Sequence, residues 1–578
     1  MNSSSMLYPR DSATRRVIKM DGIWKFQFDP DGIGRSADFP NGLPSPVSMP
    51  VPASFADFFT DKASREYTGD FWYETDLFIP EEWRWMDLSI RFGCATHRAI
   101  VFVNGTEVAR HEGGFLPFSA PINAVCRFNE SNRVVVLVNN ELHEDCIPVG
   151  RTEILPDGRK MAKPYFDFFN YSGLQRSVWL VAVPPEHILD FSVRHDIRGQ
   201  DANVAYQVET NGPHDVVVSV FDESGKPVAE GRGKNGVLTI KNVQLWDVYA
   251  AYLYRFVLRI LDKNEVVDEY WEDIGVRTVE IKDQDFLLNG RTVYLKGFGK
   301  HEDSDVAGRG YNPCVMKRDF ELMKWIGANS FRTAHYPFSE EIYQMADKEG
   351  ILIIDETPGV GLMASTLNFF DAVRGKQSGF FNKPTTPQLL KRHLEAVEGM
   401  IKRDKNHACV IAFSLLNEPE TTEPESLPYL EQVFEKARAL DFQNRPCSYT
   451  LLMHAGPDTC QANHLCDFIM LNRYYGWYFL GGNEISMAEM AFHDEMKKWQ
   501  SKIPDKPFII SEYGADTSDS EHKLPSVMWS QEYQIEYLQM CHRVFDSYNF
   551  IRGEQVWAFS DFQTGENAMR MNGNRKGI

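Results

Sequence analysis

From about Phe71 to Val138 apolar and polar residues alternate, in FWYETDLFI, LSIRFG, AIVFVNGTEVA and RVVVLVN. A period of two buries one face of an extended chain and wets the other, so these segments are expected to be half-buried strands. Asn104-Gly105 falls between VFV and TEVA, and that dipeptide tolerates the positive φ angles a two-residue hairpin turn requires. No helical pattern interrupts the region, and residues 1–185 read as a jelly-roll-like β-sandwich. After Pro184-Pro185, shorter segments of the same kind (ANVAYQV, DVVVSVF, VLTIKNV, YLYRFVLRIL) recur at even spacing. They read as a smaller, immunoglobulin-like β-sandwich over 186–278.

The pattern changes after Asn289-Gly290. Eight apolar segments (YLKGFGKH, SFRTAHYP, ILIIDET, VIAFSLLNEP, CSYTLL, FIMLNRYY, FIISEYG, EQVWAFSDF) now alternate with stretches of three-to-four spacing such as QLLKRHLEAVEGMIKRD and LEQVFEKARALD. Continuous apolar strands are buried on both faces, so residues 279–578 are expected to form a (β/α)8 TIM barrel. No eighth helix follows the last strand before Ile578. The expectation is therefore a truncated chain or an unusual closure.

Length and charge narrow the function. A chain of 578 residues is long enough for about four domains at roughly 150 residues each, and the three units above account for it. The 61 basic and 81 acidic side chains leave a net charge of -20, a surface that repels phosphodiester chains and anionic lipid heads. Nucleic acid and membrane are thus poor partners, and an anionic small substrate would need a local cluster of cations. No signal-like apolar core and no run of membrane-spanning length occur. This suggests a cytoplasmic protein, with a processed, secreted form left open. The nine Cys are scattered, without C-x-x-C or His partners at metal spacing, which suggests a reduced compartment and no metal. Gly359-Val360-Gly361-Leu362-Met363-Ala364 fits a dinucleotide fingerprint only loosely, because Pro358 intervenes. A strand-end turn explains it, and no cofactor is called for.

Two acidic motifs stand where barrel strands end, the face on which such barrels carry their active sites: Asn417-Glu418-Pro419 after the fourth strand and Glu512-Tyr513-Gly514 after the seventh. Glycoside cleavage needs two such carboxyls, one protonated and donating, the other ionised and attacking. Either Glu alone reads equally well as a rim carboxylate paired with a neighbour. Both together are harder to dismiss.

With GDFWYETDLFIP, YFDFFNYSGLQR, LKGFGKHED, SFRTAHYP, SLLNEP, LNRYYGWY, SEYG, GEQVWAFSDF and GNRKG on the page, the chain resembles, over nearly its whole length, the β-glucuronidases of the retaining glycoside hydrolase group that also holds related β-galactosidases. The resemblance implies Glu418 as general acid/base, Glu512 as nucleophile, Asn417 on the sugar 2-OH and Tyr474 hydrogen-bonded to the nucleophile. It implies Tyr478, Asp167, His335, Trp557 and Arg570 in the sugar pocket, and Asn574 and Lys576 on the C6 carboxylate that marks a uronide. Asp167 would then come from the first domain, on a loop over the barrel mouth. Each has a plainer reading: core packing for Tyr474, Tyr478, His335 and Trp557, a surface ion pair for Arg570 and Asp167, and a solvated tail for Asn574 and Lys576. The Phe-rich segment 366–381 reads first as a buried loop and second as an aglycone wall. The implied activity is release of glucuronate from small-molecule conjugates, by a homotetramer without cofactor. The rivals are a galacturonidase or β-galactosidase on the same scaffold, and a silent sugar-binding protein.

Overall fold

The computed structural model describes residues 6–363 and 379–578. The first domain packs a six-stranded sheet (order Val47–Val51, Gly22–Asp29, Asp70–Ile79, Glu130–Asn139, Arg98–Val103, Thr106–Glu112) on a four-stranded one (Arg16–Lys19, Val178–Val183, Asp87–Phe92, Phe118–Pro121). The inward residues of the alternating segments, Phe71, Tyr73, Leu77, Val134, Val136 and Val138 among them, form one core. Asn104 and Gly105 join two of the strands with φ of 51° and 82°, both positive as a type I′ turn demands. The second sandwich sets three strands (Ile188–Arg198, Asp201–Thr210, Asn235–Ile240) against four (Pro227–Arg232, Asp215–Phe221, Leu253–Asp262, Glu265–Gly275).

The C-terminal domain is a closed parallel barrel of β1 (Leu295–Lys300), β2 (Ser330–Thr333), β3 (Leu352–Glu356), β4 (Val410–Asn417), β5 (Cys447–Leu451), β6 (Ile469–Asn472), β7 (Phe508–Tyr513) and β8 (Ile551–Trp557). Seven of the eight strands fall within the segments the apolar pattern picked out; the eighth starts at Ile551, three residues before its segment EQVWAFSDF. Helices α1 (Pro313–Trp325), α2 (Glu340–Glu349), α3 (Thr386–Asp404), α4 (Ser426–Leu440), α5 (Ile485–Lys502) and α6 (Gln531–Asp546) surround it. Their starts follow local chemistry: the Asn312 side chain caps α1 by accepting from the Cys314 and Val315 amides, with Pro313 in the first turn, and Ser530 caps α6. The barrel closes by pairing of β8 with β1. No helix follows β8 among the described residues; residues 558–578 instead fold back, Ala558 N donating to Lys576 O.

The sandwiches grip opposite ends of the barrel. At the floor, Arg277 donates to the carbonyls of Ala408 and Val410, and Asn406 exchanges hydrogen bonds with Phe191 and Val193. At the mouth, the first-domain segment 165–171 crosses the strand ends. Phe169 N donates to Gln563 O at 2.8 Å, and Phe168 lies 6.1 Å from the His335 ring. Buried Arg309 sits over Phe168 and Tyr336 and donates to Phe169 O. Of the Phe-rich segment, residues 366–378, with Phe369 and Phe370, lie outside the described residues. Phe380 and Phe381 are buried, the latter against Tyr429.

A bidentate ion pair joins the first sandwich to α2: Arg91 donates from both Nη atoms to Glu340 at 2.9 Å, with both residues buried. Burial alone would raise the Glu340 carboxyl, but the Arg91 guanidinium outweighs it and holds the group below the usual carboxylate range. Arg91→Ala strands that carboxylate and is expected to destabilise the chain by about 3 to 5 kcal/mol in urea unfolding. Replacing both partners, Arg91→Met with Glu340→Leu, is expected to recover most of the loss. A deficit below about 1 kcal/mol for the single variant would mean that the pair behaves like a surface contact.

Candidate active site

Glu418 and Glu512 face each other across the barrel mouth. Glu418 is the first residue beyond β4 and takes a left-handed φ of 51°, its amide donating to Thr450 O. A non-glycine side chain in that region is strained by roughly 1 to 3 kcal/mol and persists only where surrounding structure fixes it. Here Asn472, at the end of β6, donates from Nδ2 to Glu418 Oε1 at 2.8 Å. Ser511 donates to Asn472 Oδ1 at 2.9 Å, which fixes which end of the amide faces Glu418. Glu512, in β7, is held at both oxygens. Tyr474 OH donates to Oε2 at 2.6 Å and the Arg332 guanidinium donates to Oε1.

Arg332, fully buried on β2, also donates from Nη1 to both oxygens of Glu356 at 2.8 and 2.7 Å. Glu356 ends β3 and is contacted further by Ser414 Oγ at 2.7 Å and His335 Nδ1 at 2.8 Å. Burial works against its charge, yet Arg332 and His335 hold its carboxyl below the usual range. His335 stacks on Trp557, centroids 5.0 Å apart, and presents Nε2 at 3.9 Å from Glu512 Oε1. Asn417 is buried beside the pair, its Oδ1 at 3.5 Å from Asn472 Nδ2.

The remaining sequence-selected residues gather on the β8 side. Lys576 and Asn574 are 0% and 1% exposed, which rules out a solvated tail. Lys576 Nζ donates to Asp516 and, at 3.0 Å, to Tyr478 OH, and lies 5.5 Å from the Trp477 ring centre. Arg570 donates to the same Tyr478 OH at 2.8 Å and pairs with Asp167, Nη2 to Oδ2 at 2.5 Å. Arg570 and Asp167 thus do form an ion pair, one that joins the first domain to the loop after β8. Tyr478 remains 41% exposed and cannot be read as core.

Contacts among themselves and their neighbours bring the eleven selected residues together at the C-terminal end of the barrel, but four neighbours that organise the cluster were missed: Arg332, Glu356, Asn472 and Asp516. A signal existed for three of them, since each puts a charged or amide side chain at or next to the C-terminal end of a short segment expected to be a buried barrel strand, in SFRT, LIIDE and IMLN. Asp516 lies in a loop, and nothing in its sequence context marks it.

Burial first, and then the negative charge of Glu512, push the Glu418 carboxyl up to about 8. It is therefore mostly protonated at neutral pH, a state suited to proton donation. Removing the neighbouring charge favours the ionised form, so Glu512→Gln is expected to move the Glu418 titration downward, read by carboxyl NMR. An unmoved titration would leave burial as the sole cause. Since the unfolded value is about 4.3, the protonated group contributes stability in full below that pH, and the contribution is lost as pH rises through about 8.

Comparisons with known proteins agree with this geometry. The description "Glycosyl hydrolases family 2, TIM barrel domain" matches residues 279–578, its "sugar binding domain" matches 17–184, and a third description, "Glycosyl hydrolases family 2", matches 186–277. A Paenibacillus borealis protein named "Beta-glucuronidase" is 41% identical over 99% of this chain and 95% of its own. A Ruminococcus gnavus β-glucuronidase structure is 54% identical with a TM-score of 0.99, covering 100% of this chain and 96% of that one. A second Ruminococcus gnavus structure, in complex with uronic isofagomine, matches equally well in identity, coverage and TM-score. With its three domains matched in order and its paired carboxyls at the barrel mouth, this chain belongs to glycosyl hydrolase family 2.

Proposed function

We propose that the protein is a retaining β-glucuronidase that releases glucuronate from β-linked small-molecule conjugates. The observation that carries this reading is a seat for a carboxylate. Lys576 Nζ has three N–H donors and directs two of them at Asp516 and Tyr478, while Asn574 engages only its Oδ1, which accepts from Lys576 N. The third Lys576 donor and Asn574 Nδ2 have no partner among the described residues. A cation and an amide so placed offer charge-assisted hydrogen bonds that a C6 carboxylate repays and a neutral hydroxymethyl does not. The names of the relatives and the uronic isofagomine in the Ruminococcus gnavus complex support the same substrate class.

In this reading Glu512 attacks C1 while Glu418 protonates the departing oxygen, giving a covalent glycosyl-enzyme. Arg332 and Tyr474 each hold one Glu512 oxygen, so the carboxylate is aimed before substrate arrives. Ester formation removes the Glu512 charge, the Glu418 pKa falls, and Glu418 becomes the base that takes a proton from water. Asn417 binds the 2-OH, and His335, Trp557, Tyr478, Asp167 and Arg570 shape the rest of the sugar pocket. The chemistry calls for no cofactor. Family resemblance supports a homotetramer, which sedimentation equilibrium tests. No described helix is long and apolar enough to cross a membrane.

Two sets of variants test the roles. Glu512→Ala is expected to abolish turnover of every β-glucuronide, whereas Glu418→Ala spares those whose leaving group needs no proton. Equal losses on activated and unactivated aglycones in Glu418→Ala would refute its role. Lys576→Ala removes the counter-charge of the substrate carboxylate and is expected to lower kcat/KM for an aryl β-glucuronide by on the order of 10² to 10³. The matching glucoside has nothing to strand and should lose far less. Because buried Asp516 loses its partner too, thermal stability is read alongside, and the substrate ratio is the deciding quantity. Equal proportional losses would make Lys576 a structural residue. Galacturonide and galactoside assayed beside these substrates separate the rival specificities.

A further inference from the structure

Neighbouring side chains on a strand point to opposite faces, and β2 and β3 each end in a polar pair, one member inside the barrel and one outside. Inside, Arg332 of β2 holds Glu356 of β3. Outside, Thr333 of β2 donates from Oγ1 to Asp355 Oδ1 of β3 at 3.3 Å and accepts from the Glu356 amide at 2.8 Å. The outer pair thus fixes the strand end on which the inner pair depends, and with it Glu512, which Arg332 holds in turn.

Asp355 is fully buried, and its hydrogen bonds do not suit a carboxylate. Oδ1 accepts from Thr333 and, at 2.6 Å, from Tyr343 OH of α2, while Oδ2 accepts from no donor among the described residues. What faces the carboxyl instead is a second one, Asp404 at the end of α3, which is fully buried too. Arg403 is the cation beside both, and its donors go to Asp404, from Nε and Nη2 at 2.7 and 2.6 Å, and to Phe338 O, from Nη1 at 2.9 Å. Beyond Asp404 the titratable neighbours are His407 and Cys409. One guanidinium neutralises one carboxylate, and two ionised carboxylates in contact away from water repel strongly. A neutral acid resolves the conflict, because its O–H needs the acceptor that Asp404 offers. Burial first, and then the Asp404 charge, push the Asp355 carboxyl well above the usual carboxylate range.

We propose that Asp355 keeps its proton and donates a hydrogen bond to Asp404, and that this acid–carboxylate pair behind the barrel wall positions the nucleophile Glu512 through Thr333, Glu356 and Arg332. Asp355 is a positioning residue, since it acts only through others. The pair ties β3 to α3, and Thr333 passes that tie to the Glu356 amide. A β3 end that drifted would carry with it the Glu356 carboxylate that fixes Arg332. The positioning part rests on the glucuronidase reading above, whereas the shared proton does not.

Infrared spectroscopy reads the proton directly. The difference spectrum between the unmodified protein and Asp355→Asn at neutral pH is expected to show a carboxylic-acid carbonyl band that the variant loses; without that band Asp355 is ionised and the shared proton is overturned. Asparagine matches the acid in shape and charge, with a carbonyl for Tyr343 and Thr333 and an N–H for Asp404, whereas alanine supplies neither. On an aryl β-glucuronide, Asp355→Asn is expected to keep kcat within about twofold and Asp355→Ala to lower it by roughly tenfold or more with KM little changed, the scale of a slightly misplaced reacting group. If kcat falls as far in folded Asp355→Asn as in Asp355→Ala, the ionised form is the working one and the proposal is overturned. Normal kcat in folded Asp355→Ala overturns the positioning role. Should the alanine variant not fold, as judged by circular dichroism, Thr333→Val cuts the link to the Glu356 amide and spares the carboxyl pair. Its kcat should then fall while the infrared band stays, and an undiminished kcat overturns the positioning. Absence of aryl glucuronide cleavage by the unmodified protein would instead overturn the glucuronidase reading, with the infrared band still deciding the shared proton.

Discussion

The Arg332 guanidinium is fully buried inside the barrel, between the carboxylates of Glu356 and Glu512, and the active site is arranged around the need to satisfy it. A buried cation without partners is costly, and a planar fork of donors accepts two carboxylates in fixed directions. Meeting that requirement draws β2, β3 and β7 into one electrostatic unit and leaves Glu512 no freedom to turn. It also keeps a negative charge next to Glu418, which with burial holds that second carboxyl protonated near neutral pH. Two residues of the same chemical type thus meet different surroundings, as the division of labour proposed for them requires.

The opposite side of the pocket answers a different constraint. A protein with a net charge of -20 repels anions in solution, so a carboxylate-bearing ligand can be held only where cations are locally concentrated and shielded from the acidic surface. Lys576 and Arg570 provide that concentration. Both are tied down beforehand, Lys576 by Asp516 and Tyr478, Arg570 by Asp167 and Tyr478. Anchoring long cationic side chains in advance reduces what binding must order. The aromatic faces of Tyr474, Trp477 and Tyr478 around the Lys576 ammonium add quadrupole attraction where water is largely excluded.

The first sandwich is part of the site rather than an appendage. Its segment 165–171 supplies Asp167 and packs Phe168 beside His335, while Arg309 of the barrel grips the same segment through its rings and the Phe169 carbonyl. The same domain seam also carries the buried Arg91–Glu340 pair.

Much of this was legible in the sequence because the signals are local. Alternation over FWYETDLFI or continuous burial over VIAFSLLN reflects what each residue's immediate neighbours face, so strands and the repeating strand-helix order could be read directly, and Glu418 and Glu512 stood out as acids at the ends of buried strands. Resemblance to a known family added Lys576, Asn574, Arg570 and Asp167, which no periodicity marks. What the sequence did not disclose is most of the pairing across distance: Arg332 meets Glu512 180 residues away and Lys576 meets Asp516 across 60, and only for Arg570 and Asp167, 403 residues apart, was an ion pair among the readings. Each partner looks like an ordinary charged residue in its own segment. Only closure of the barrel and docking of the sandwich bring the charges within hydrogen-bond reach, and where they are buried, as around Arg332 and Lys576, their attraction is strong enough to set protonation and position.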